Sequence, residues 1–453
     1  MQQERSRMLG EMPMGKLVPK VSVPIMISML VQALYNVIDS IFVAKFDPNA
    51  LTAVSLAFPI QQLMIALSTG LGVGINSLIS RKLGEKRQDE ARQAAKTGIV
   101  LEAAGSGLFV ILGLFFLGPV MRFFTDDPVL QKLGQEYLSV VCTVSIGLFI
   151  SITVERMLQS TGNTVYSMLV QLSGAVTNII LDPILIFGWF GLPAMGITGA
   201  ALATVLGQLF SMCLGLVLNQ KKNLELKLDA HHWKPDMRMI RGILTVGLPS
   251  TVMASIGSVL SVMMNLLLIR FGNIAVSVLG VYFKLQSFVF MPVFGLSNGL
   301  VAIVGYNFGA RLRERVNSAV RVALGFAITI MLAGTLLFML APHWLMSLFE
   351  ASGPSELTAL GVPALRIISI HFILAAIGIT VSTVFQAIGK GSYSLVMSLC
   401  RQLVLLLPAA WALSGLGLTA IWWAFPIAEV GSLILCLILY RKCDREILSP
   451  MMK

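Results

Sequence analysis

The sequence predicts an all-α membrane protein with twelve transmembrane helices in two homologous six-helix lobes. Three observations support this fold class: the composition, the number of apolar stretches and an internal repeat. Of the 453 residues, 56% are hydrophobic and only 12% are charged, which is about half the charged fraction of an average soluble domain. Most of the chain is therefore expected to lie in lipid.

Twelve apolar stretches are separated by short polar breaks. Each stretch is long enough for a bilayer-spanning helix, which needs roughly 20 mainly apolar residues. The stretches begin near Leu17, Leu51, Gln93, Lys132, Thr164, Gly196, Gly242, Ile274, Asn317, Glu356, Tyr393 and Leu418. An even number of spans places both termini on the same side of the membrane.

The basic residues indicate which side that is. Most of the 33 lysines and arginines lie in the breaks of one side, above all in 81–92 and 221–241. The breaks of the other side contain Lys45, Arg122, Lys132 and Arg270. Because cytoplasmic loops carry an excess of Lys and Arg, we expect a multi-pass protein of the bacterial inner membrane with both termini in the cytoplasm.

The same features argue against other classes of protein. The net charge of +11 comes from juxtamembrane loops, where basic side chains meet anionic lipid headgroups, so no nucleic-acid partner is expected. The five cysteines form no CxxC pair, which argues against a disulfide framework or a zinc site. The first apolar run is too long for a signal peptide and carries Asp39, so we expect a retained first span.

The second half of the chain repeats the first at an offset of about 225 residues. The aligned pairs include Pro24 with Pro249, Gly70 with Gly295, Gly84 with Gly309 and Gly134 with Gly361. An even number of spans in each half makes the repeats parallel, and such halves enclose a central substrate cavity. We therefore predict an N-terminal lobe at 1–220, an inter-lobe loop at 221–241 and a C-terminal lobe at 242–453.

Ionisable residues inside apolar spans are costly and therefore mark candidate functional sites. The candidates are Asp39, Glu102, Asp182, Lys284, Arg366, His371, Arg401 and Glu429. Asp39 and Asp182 lie at matched depth, each roughly 7 to 10 Å below the outer end of its span at 1.5 Å per residue. Asn36 and Asn178 accompany them on the same helical faces. Asp39 and Asp182 are expected to share one site.

Tyr137 and Thr198 belong to the same leaflet, because their spans run inward. Carboxylates, a carboxamide and hydroxyl groups at one depth form an oxygen-rich pocket suited to Na⁺, with Asp39, Asn178 and Asp182 as ligands. The two carboxyl groups suit a proton equally, because burial and mutual repulsion favour protonation of one of them. The coupling ion is thus Na⁺ or H⁺, and no cofactor is expected. The alternative is a purely structural role for each aspartate, as a cap or hydrogen-bond acceptor.

The lobes differ at this site. The repeat counterparts of Asp39 and Asp182 are Met264 and Leu407, so coupling chemistry is expected in the first lobe. Lys284 either faces the cavity, where it would neutralise an acid or contact anionic groups, or snorkels to the membrane interface.

Pro24 in the first span is either a static kink or a hinge for alternating access. Glu102 and Glu429 either form inter-helix hydrogen bonds or line the cavity. The candidate cavity residues are Gln32, Asn36, Glu102, Lys284 and Glu429.

Several motifs together resemble the multidrug and toxic compound extrusion (MATE) family, and in particular its bacterial branch that includes MepA and DinF. The motifs are Tyr35-Asn-Val-Ile-Asp39, Gly70-Leu-Gly-Val-Gly74, Arg81-Lys-Leu-Gly84, Gln159-Ser-Thr-Gly162, Asn178-Ile-Ile-Leu-Asp182-Pro183, Gly196-Ile-Thr-Gly-Ala-Ala201 and Gly305-Tyr-Asn-Phe-Gly-Ala310. The resemblance implies two lobes in a V with drug bound between or within them. It also implies a first-lobe cation site at Asp39, Tyr137, Asn178, Asp182 and Thr198, and a bending proline at Pro24. The acidic second-lobe site of another branch has no counterpart in the seventh span.

The expected function is a secondary antiporter. It would export amphipathic, often cationic, organic compounds in exchange for Na⁺ or H⁺, and would act as a monomer. A lipid-linked oligosaccharide flippase of the same superfamily is the alternative, although its cavity should be strongly basic. An enzyme is not expected, because the chain has no HExxH motif and the two aspartates lack the glycine-flanked motif of membrane aspartyl proteases.

Overall fold

The computed structural model describes residues 6–46, 48–228, 235–349 and 356–452, and this part of the chain is helical without a strand. Near the first turn between spans, the side chains at 36–37, 39–41, 44–45, 48 and 51 lie outside the description. The all-α fold class predicted from composition is confirmed. One correction concerns the loop between the lobes: the chain is helical again from Met237, before the predicted end of the loop at 241.

The N-terminal lobe contains nine helices among the described residues. They are α1 (Arg7–Glu11), α2 (Met14–Phe46), α3 (Pro48–Gly84), α4 (Gln88–Phe115), α5 (Leu117–Phe124), α6 (Pro128–Thr143), α7 (Ile146–Ser160), α8 (Thr164–Phe187) and α9 (Gly196–Lys222). Local signals explain where several begin. At α6, for example, the carboxylate of Asp127 accepts a hydrogen bond from the Val129 amide at 2.8 Å, and Pro128 follows at the first helical position, as helix starts prefer.

The C-terminal lobe follows the same plan. Its described helices are α10 (Met237–Leu268), α11 (Asn273–Gly309), α12 (Arg313–Leu340), α13 (Pro342–Ser347), α14 (Glu356–Ser369), α15 (Phe372–Ala387), α16 (Gly391–Leu399), α17 (Leu407–Ser414), α18 (Leu418–Ile421) and α19 (Ala424–Cys443). A π-helix at Cys400–Leu406 joins α16 to α17. Asp236 caps α10, and the hydrogen bond from the Arg238 amide at 2.8 Å holds the pKa of this half-buried carboxyl below its usual value.

Ten helices of the described chain are long and apolar enough to cross a membrane, and two bent pairs complete the twelve predicted spans. The pairs are α6 with α7, bent by 47°, and α14 with α15, bent by 48°. They occupy equivalent positions in the two lobes. At the first break, the Ser145 hydroxyl lies 2.9 Å from that of Ser106 in α4. At the second, the Thr335 hydroxyl of α12 donates to the carbonyl of Ser369 at 3.2 Å. A hydroxyl thus satisfies polar groups at each break.

The two lobes meet at glycines. A Cβ added at Gly295 of α11 would lie 2.7 Å from the Cα atom of Met26 in α2, and one at Gly84 would overlap the carbonyl of Tyr306. Gly70 and Gly74 of α3 are likewise against the backbone of α10. Small residues allow helix backbones to approach this closely. The central helices are α3 and α11. In the apolar stretch of each, 72% and 67% of the residues, respectively, are buried.

We call the end at which α3 stops at Gly84 and α11 stops at Gly309 the basic end of the bundle. The short helix α1 docks there against the second lobe. The Asn307 amide group donates to the carbonyl of Leu9 at 2.9 Å. The Arg315 guanidinium donates to the carbonyls of Leu9 at 3.2 Å and Met12 at 2.8 Å. The N-terminal segment therefore bridges the lobes at the basic end.

Replacing Arg315 with alanine is expected to loosen α1. Hydrogen bonds from a charged group contribute about 1.5 to 3 kcal/mol, and cleavage of a transiently opened segment follows its opening free energy. We therefore expect trypsin to cleave after Arg7 about tenfold faster in Arg315→Ala, as followed by mass spectrometry of purified protein. The matched control is Arg321→Ala, whose guanidinium bonds a carbonyl of its own helix. Equal cleavage rates in both variants would contradict the bridging role.

Candidate functional site

The candidate site is built on α8, which packs closely on α9. A Cβ at Gly207 would lie 2.7 Å from the carbonyl oxygen of Gly174, and Gly199 lies against the backbone of Leu185. The two helices are antiparallel, and small residues bring their backbones together. Asp182, on this interface side of α8, is 0% exposed. A carboxyl group is therefore held in the interior of the first lobe, as predicted.

Asn178 lies one turn before Asp182 and is also buried. Its amide group donates a hydrogen bond to the Thr204 hydroxyl of α9 at 3.2 Å, and that hydroxyl donates to the carbonyl of Ala200 at 3.0 Å. The Oδ1 atom of Asn178 has no hydrogen-bond partner among the described residues. The Asn178 carbonyl oxygen is thus available to a ligand at the level of Asp182.

Thr204 is a site residue that the sequence prediction missed. Thr198, which the sequence predicts from its depth and from the family resemblance, is half-buried beside Gly199, and Gly199 lies against Leu185. The register of α9 against α8 brings Thr204 rather than Thr198 to Asn178. The only sequence signal for Thr204 is a polar residue in a run of small apolar ones, which says nothing about register.

Tyr137 of α6 is 3% exposed, and its hydroxyl lies 3.4 Å from Oε1 of Gln61 in α3. It belongs to one hydrophobic cluster with Val43, Ile186 and Ile197. Val43 lies one turn after Asp39, and Ile186 lies one turn after Asp182. Ile197 is next to Thr198. The helices that carry the predicted ligands therefore converge on one region of the first lobe.

Asp39 and Asn36 lie on α2, but their side chains fall outside the described residues, so their place in the site stays a prediction. The helix itself is described, and it packs against α8. Gln32 of α2 is half-buried. Pro24 lies inside the continuous helix, two residues before the contact of Met26 with the second lobe. The predicted hinge is therefore beside the seam between the lobes.

The acidic and basic candidates of the second lobe pair with each other. The Arg401 guanidinium lies 3.6 Å from the carboxylate of Glu429, and their side chains are 29% and 6% exposed. Arg401 lies in the π-helix, a feature that often marks functional positions. Met264, the counterpart of Asp39, is fully buried in the apolar core. The second lobe thus places apolar packing where the first lobe is predicted to place an acid.

The remaining candidates lie apart from the first-lobe site. Lys284 is exposed, and its ammonium group lies 6.0 Å from the centre of the Phe349 ring, so its cavity role and its snorkelling to the interface both stay predictions. The Arg366 guanidinium donates to the carbonyl of Met339 at 3.3 Å. His371 is buried at the second helix break among aromatic rings. Glu102 is fully buried in α4, within the lobe rather than on its surface.

Two parallel six-span repeats with ionisable residues buried inside them are typical of a secondary transporter. The MatE family model matches this chain twice, at residues 24–184 and 249–412. The chain therefore belongs to the MatE family, the multidrug and toxic compound extrusion transporters that its motifs resemble. The double match also confirms the internal repeat.

Similar proteins extend over nearly the whole chain. Multidrug export protein MepA of Staphylococcus haemolyticus is 26% identical over 410 residues, which cover 90% of this chain and 89% of that protein. MepA of Staphylococcus aureus strain MSSA476 is 25% identical over 448 residues, 98% of both chains.

Two solved structures are also similar. One is a MOP superfamily transporter from Pyrococcus furiosus, described as having a binding pocket of reversed polarity, with a TM-score of 0.92 and 27% identity. The other is an outward-facing multidrug resistance MATE family transporter, with a TM-score of 0.91 and 27% identity. Each comparison covers 100% of this chain and 99% of the other.

Proposed function

We propose that this protein is a multidrug efflux antiporter that exports amphipathic, often cationic, organic compounds in exchange for Na⁺ or H⁺. The observation that carries the proposal is the buried pair of Asp182 and Asn178 in the first lobe, set against an apolar second-lobe counterpart. The names of the MepA relatives support the drug-export part. In this proposal the protein acts as a monomer.

The basic end faces the cytoplasm in this proposal, because lysines and arginines accumulate there. The glycine contacts between the lobes are concentrated at that end, so the cavity opens towards the outside. The similarity to an outward-facing transporter supports this orientation. A bound cation would then enter the Asp182 region from outside.

Coupling follows from differential affinity for two states. Cation binding at Asp39 and Asp182 favours one bend of α2 near Pro24, and drug binding favours the opposite state. Each ligand shifts the equilibrium only by its differential affinity for the two states. Thr204 holds the Asn178 side chain in place. The side-chain carbonyl oxygen of Asn178 would coordinate Na⁺, or would accept a hydrogen bond if the site binds a proton instead.

The flippase alternative requires a strongly basic cavity to hold a pyrophosphate group. Arg401 is compensated by Glu429, and Lys284 lies at an exposed position beside Phe349. Lys284 alone does not make a cavity strongly basic. The described residues therefore favour drug export over lipid-linked oligosaccharide transport.

The deciding experiment uses proteoliposomes loaded with a fluorescent lipophilic cation such as ethidium. We expect an imposed tenfold gradient of Na⁺ or of H⁺, applied in turn, to accelerate dye efflux, since a tenfold gradient of a coupled ion supplies about 1.4 kcal/mol per ion. The control is the same vesicle with equal ion concentrations on both sides. Efflux that responds to neither gradient would overturn the antiporter assignment.

A further inference from the structure

A second buried polar cluster lies in the first lobe, and the proposed cation site does not use it. We call it the Glu102 cluster, and it consists of Ser68 (α3), Glu102 (α4), Arg156 and Gln159 (α7), and Ser167 (α8). All five are buried, with Glu102 at 0% and Arg156 at 4% exposure. Five polar side chains, two of them ionisable, thus meet in the interior of a membrane-spanning lobe, where such groups are functional candidates by default.

Gly72 of α3 leaves the space that the Arg156 side chain occupies. A Cβ at this position would lie 3.0 Å from Cγ and 3.4 Å from Nε of Arg156. The arginine therefore lies directly across the α3 backbone because position 72 has no side chain.

The arginine is only partly paired. Its Nη1 atom donates to Oε1 of Gln159 at 2.9 Å, and the Gln159 amide group donates to the Ser167 hydroxyl at 2.9 Å. The Nε atom of Arg156 has no hydrogen-bond partner within the described chain. The Gln159 amide and the Ser167 hydroxyl therefore anchor the guanidinium at its Nη1 atom.

Glu102 is the group that this arrangement leaves incomplete. Neither of its carboxyl oxygens makes a hydrogen bond of good geometry to a described residue. The Ser68 hydroxyl interacts with the carboxyl group at the margin of hydrogen-bonding geometry, and Arg156 acts on it through charge, but the described residues form no ion pair between Glu102 and Arg156. Arg156 is the charged group that acts on Glu102, and Glu155 acts in turn on Arg156.

A carboxylate in this position would carry its charge in a dry interior without an ion pair, and proteins avoid that cost by protonating the group. We propose that Glu102 is a proton-binding site, distinct from the Asp39 and Asp182 site, and that it carries its proton in the conformation described here. Movement of Arg156 onto the carboxyl group would release the proton. The ligand is a proton rather than Na⁺, because the cluster offers too few oxygen atoms around the carboxyl group and contains a cation.

Infrared spectroscopy of the purified full-length protein tests this site without any transport step. A protonated carboxyl group has a C=O stretching band that a carboxylate lacks and that shifts in D₂O. We expect this band in the wild type, its loss in Glu102→Gln, and a shifted band in Glu102→Asp, which guards against a fold defect in the first variant. Glu314→Gln, at an exposed position, and Asp182→Asn are the controls and should keep the Glu102 band.

A second measurement separates a proton site from a packing role. Arg156→Gln removes the cation that favours the carboxylate, so the Glu102 band should persist to higher pH than in the wild type. A Glu102→Gln spectrum identical to the wild type, or an Arg156→Gln midpoint at the wild-type pH, would overturn the proposal. These outcomes are independent of whether ion gradients drive efflux, so the failure of either proposal is recognisable on its own.

Discussion

Asp182→Asn is expected to abolish ion-driven efflux while leaving the protein folded in the membrane. Asparagine has nearly the same shape as aspartate, but it neither carries a negative charge nor takes up a proton. Coupling free energies between two ligands correspond to about 5-fold to 150-fold changes in affinity, so we expect gradient-driven dye efflux to fall about 100-fold. The measurement is efflux from proteoliposomes that contain equal amounts of each variant.

The matched control is Asp126→Asn, a change of the same chemistry at an exposed position outside the helices. It should leave efflux within about twofold of the wild type, since surface substitutions have small effects. Asp39→Asn should behave like Asp182→Asn if the two acids form one site. Wild-type drug resistance in cells that express Asp182→Asn at normal levels would remove Asp182 from the coupling machinery.

Gly84→Val should prevent the lobes from closing at the basic end. A side chain at Gly84 meets the backbone of Tyr306, and its Cβ would also lie 3.0 Å from the Ala310 nitrogen. Backbone atoms cannot move aside as a flexible side chain can, so α3 and α11 must separate. We expect efflux to fall at least about tenfold, because overpacking of this kind costs about 1 to 3 kcal/mol.

The separation itself is measured with a cysteine at Ser77. This hydroxyl donates across the seam to the carbonyls of Gln386 and Ala387, and the residue is fully buried. A water-soluble maleimide should label Ser77→Cys faster when Gly84→Val is also present. The control is Gly107→Val, whose Cβ meets nothing within 4 Å. Equal labelling with Gly84→Val and with Gly107→Val would show that the seam tolerates the added side chain.

Sequence patterns predicted the repeat and the number of spans because both depend on apolar length and on recurring residues. They did not predict the breaks in the fourth span of each lobe. The breaks fall at Val144–Ser145 and at Ile370–His371, where no proline or glycine interrupts the apolar run. The hydroxyl contacts at these breaks come from α4 and α12, so the cause lies in neighbouring helices. Tertiary contacts of this kind leave no local signal.

The π-helix is an intermediate case. Pro408 was visible as a helix-breaking residue, and it follows the π-helix Cys400–Leu406 directly within α17. A proline removes one backbone donor and displaces the preceding turn, but the sequence does not indicate which local geometry results. The pairing of Arg401 with Glu429 depends on that geometry and was therefore not predicted.

The candidate site, too, could be predicted from the sequence only in part. Burial of Asp182 and Asn178 could be predicted, because both lie within an apolar span. The choice of Thr204 as the partner of Asn178 could not, since it depends on how far α9 slides along α8. The unusual isolation of Glu102 was equally invisible, because a lone glutamate in a span indicates burial but not the distance to its nearest cation.

The close backbone contacts between the lobes at Gly70, Gly74, Gly84 and Gly295, which form a glycine seam, have a mechanical consequence. Contacts between backbones are short-ranged, and a gap of about 0.5 to 1 Å already removes a quarter to a half of the dispersion attraction between facing atoms. A seam of long flexible side chains would stretch gradually, whereas this one loses its attraction within a fraction of an ångström. If the proposed transport cycle opens the basic end, we expect that end to be either closed or fully open, with short-lived partial openings.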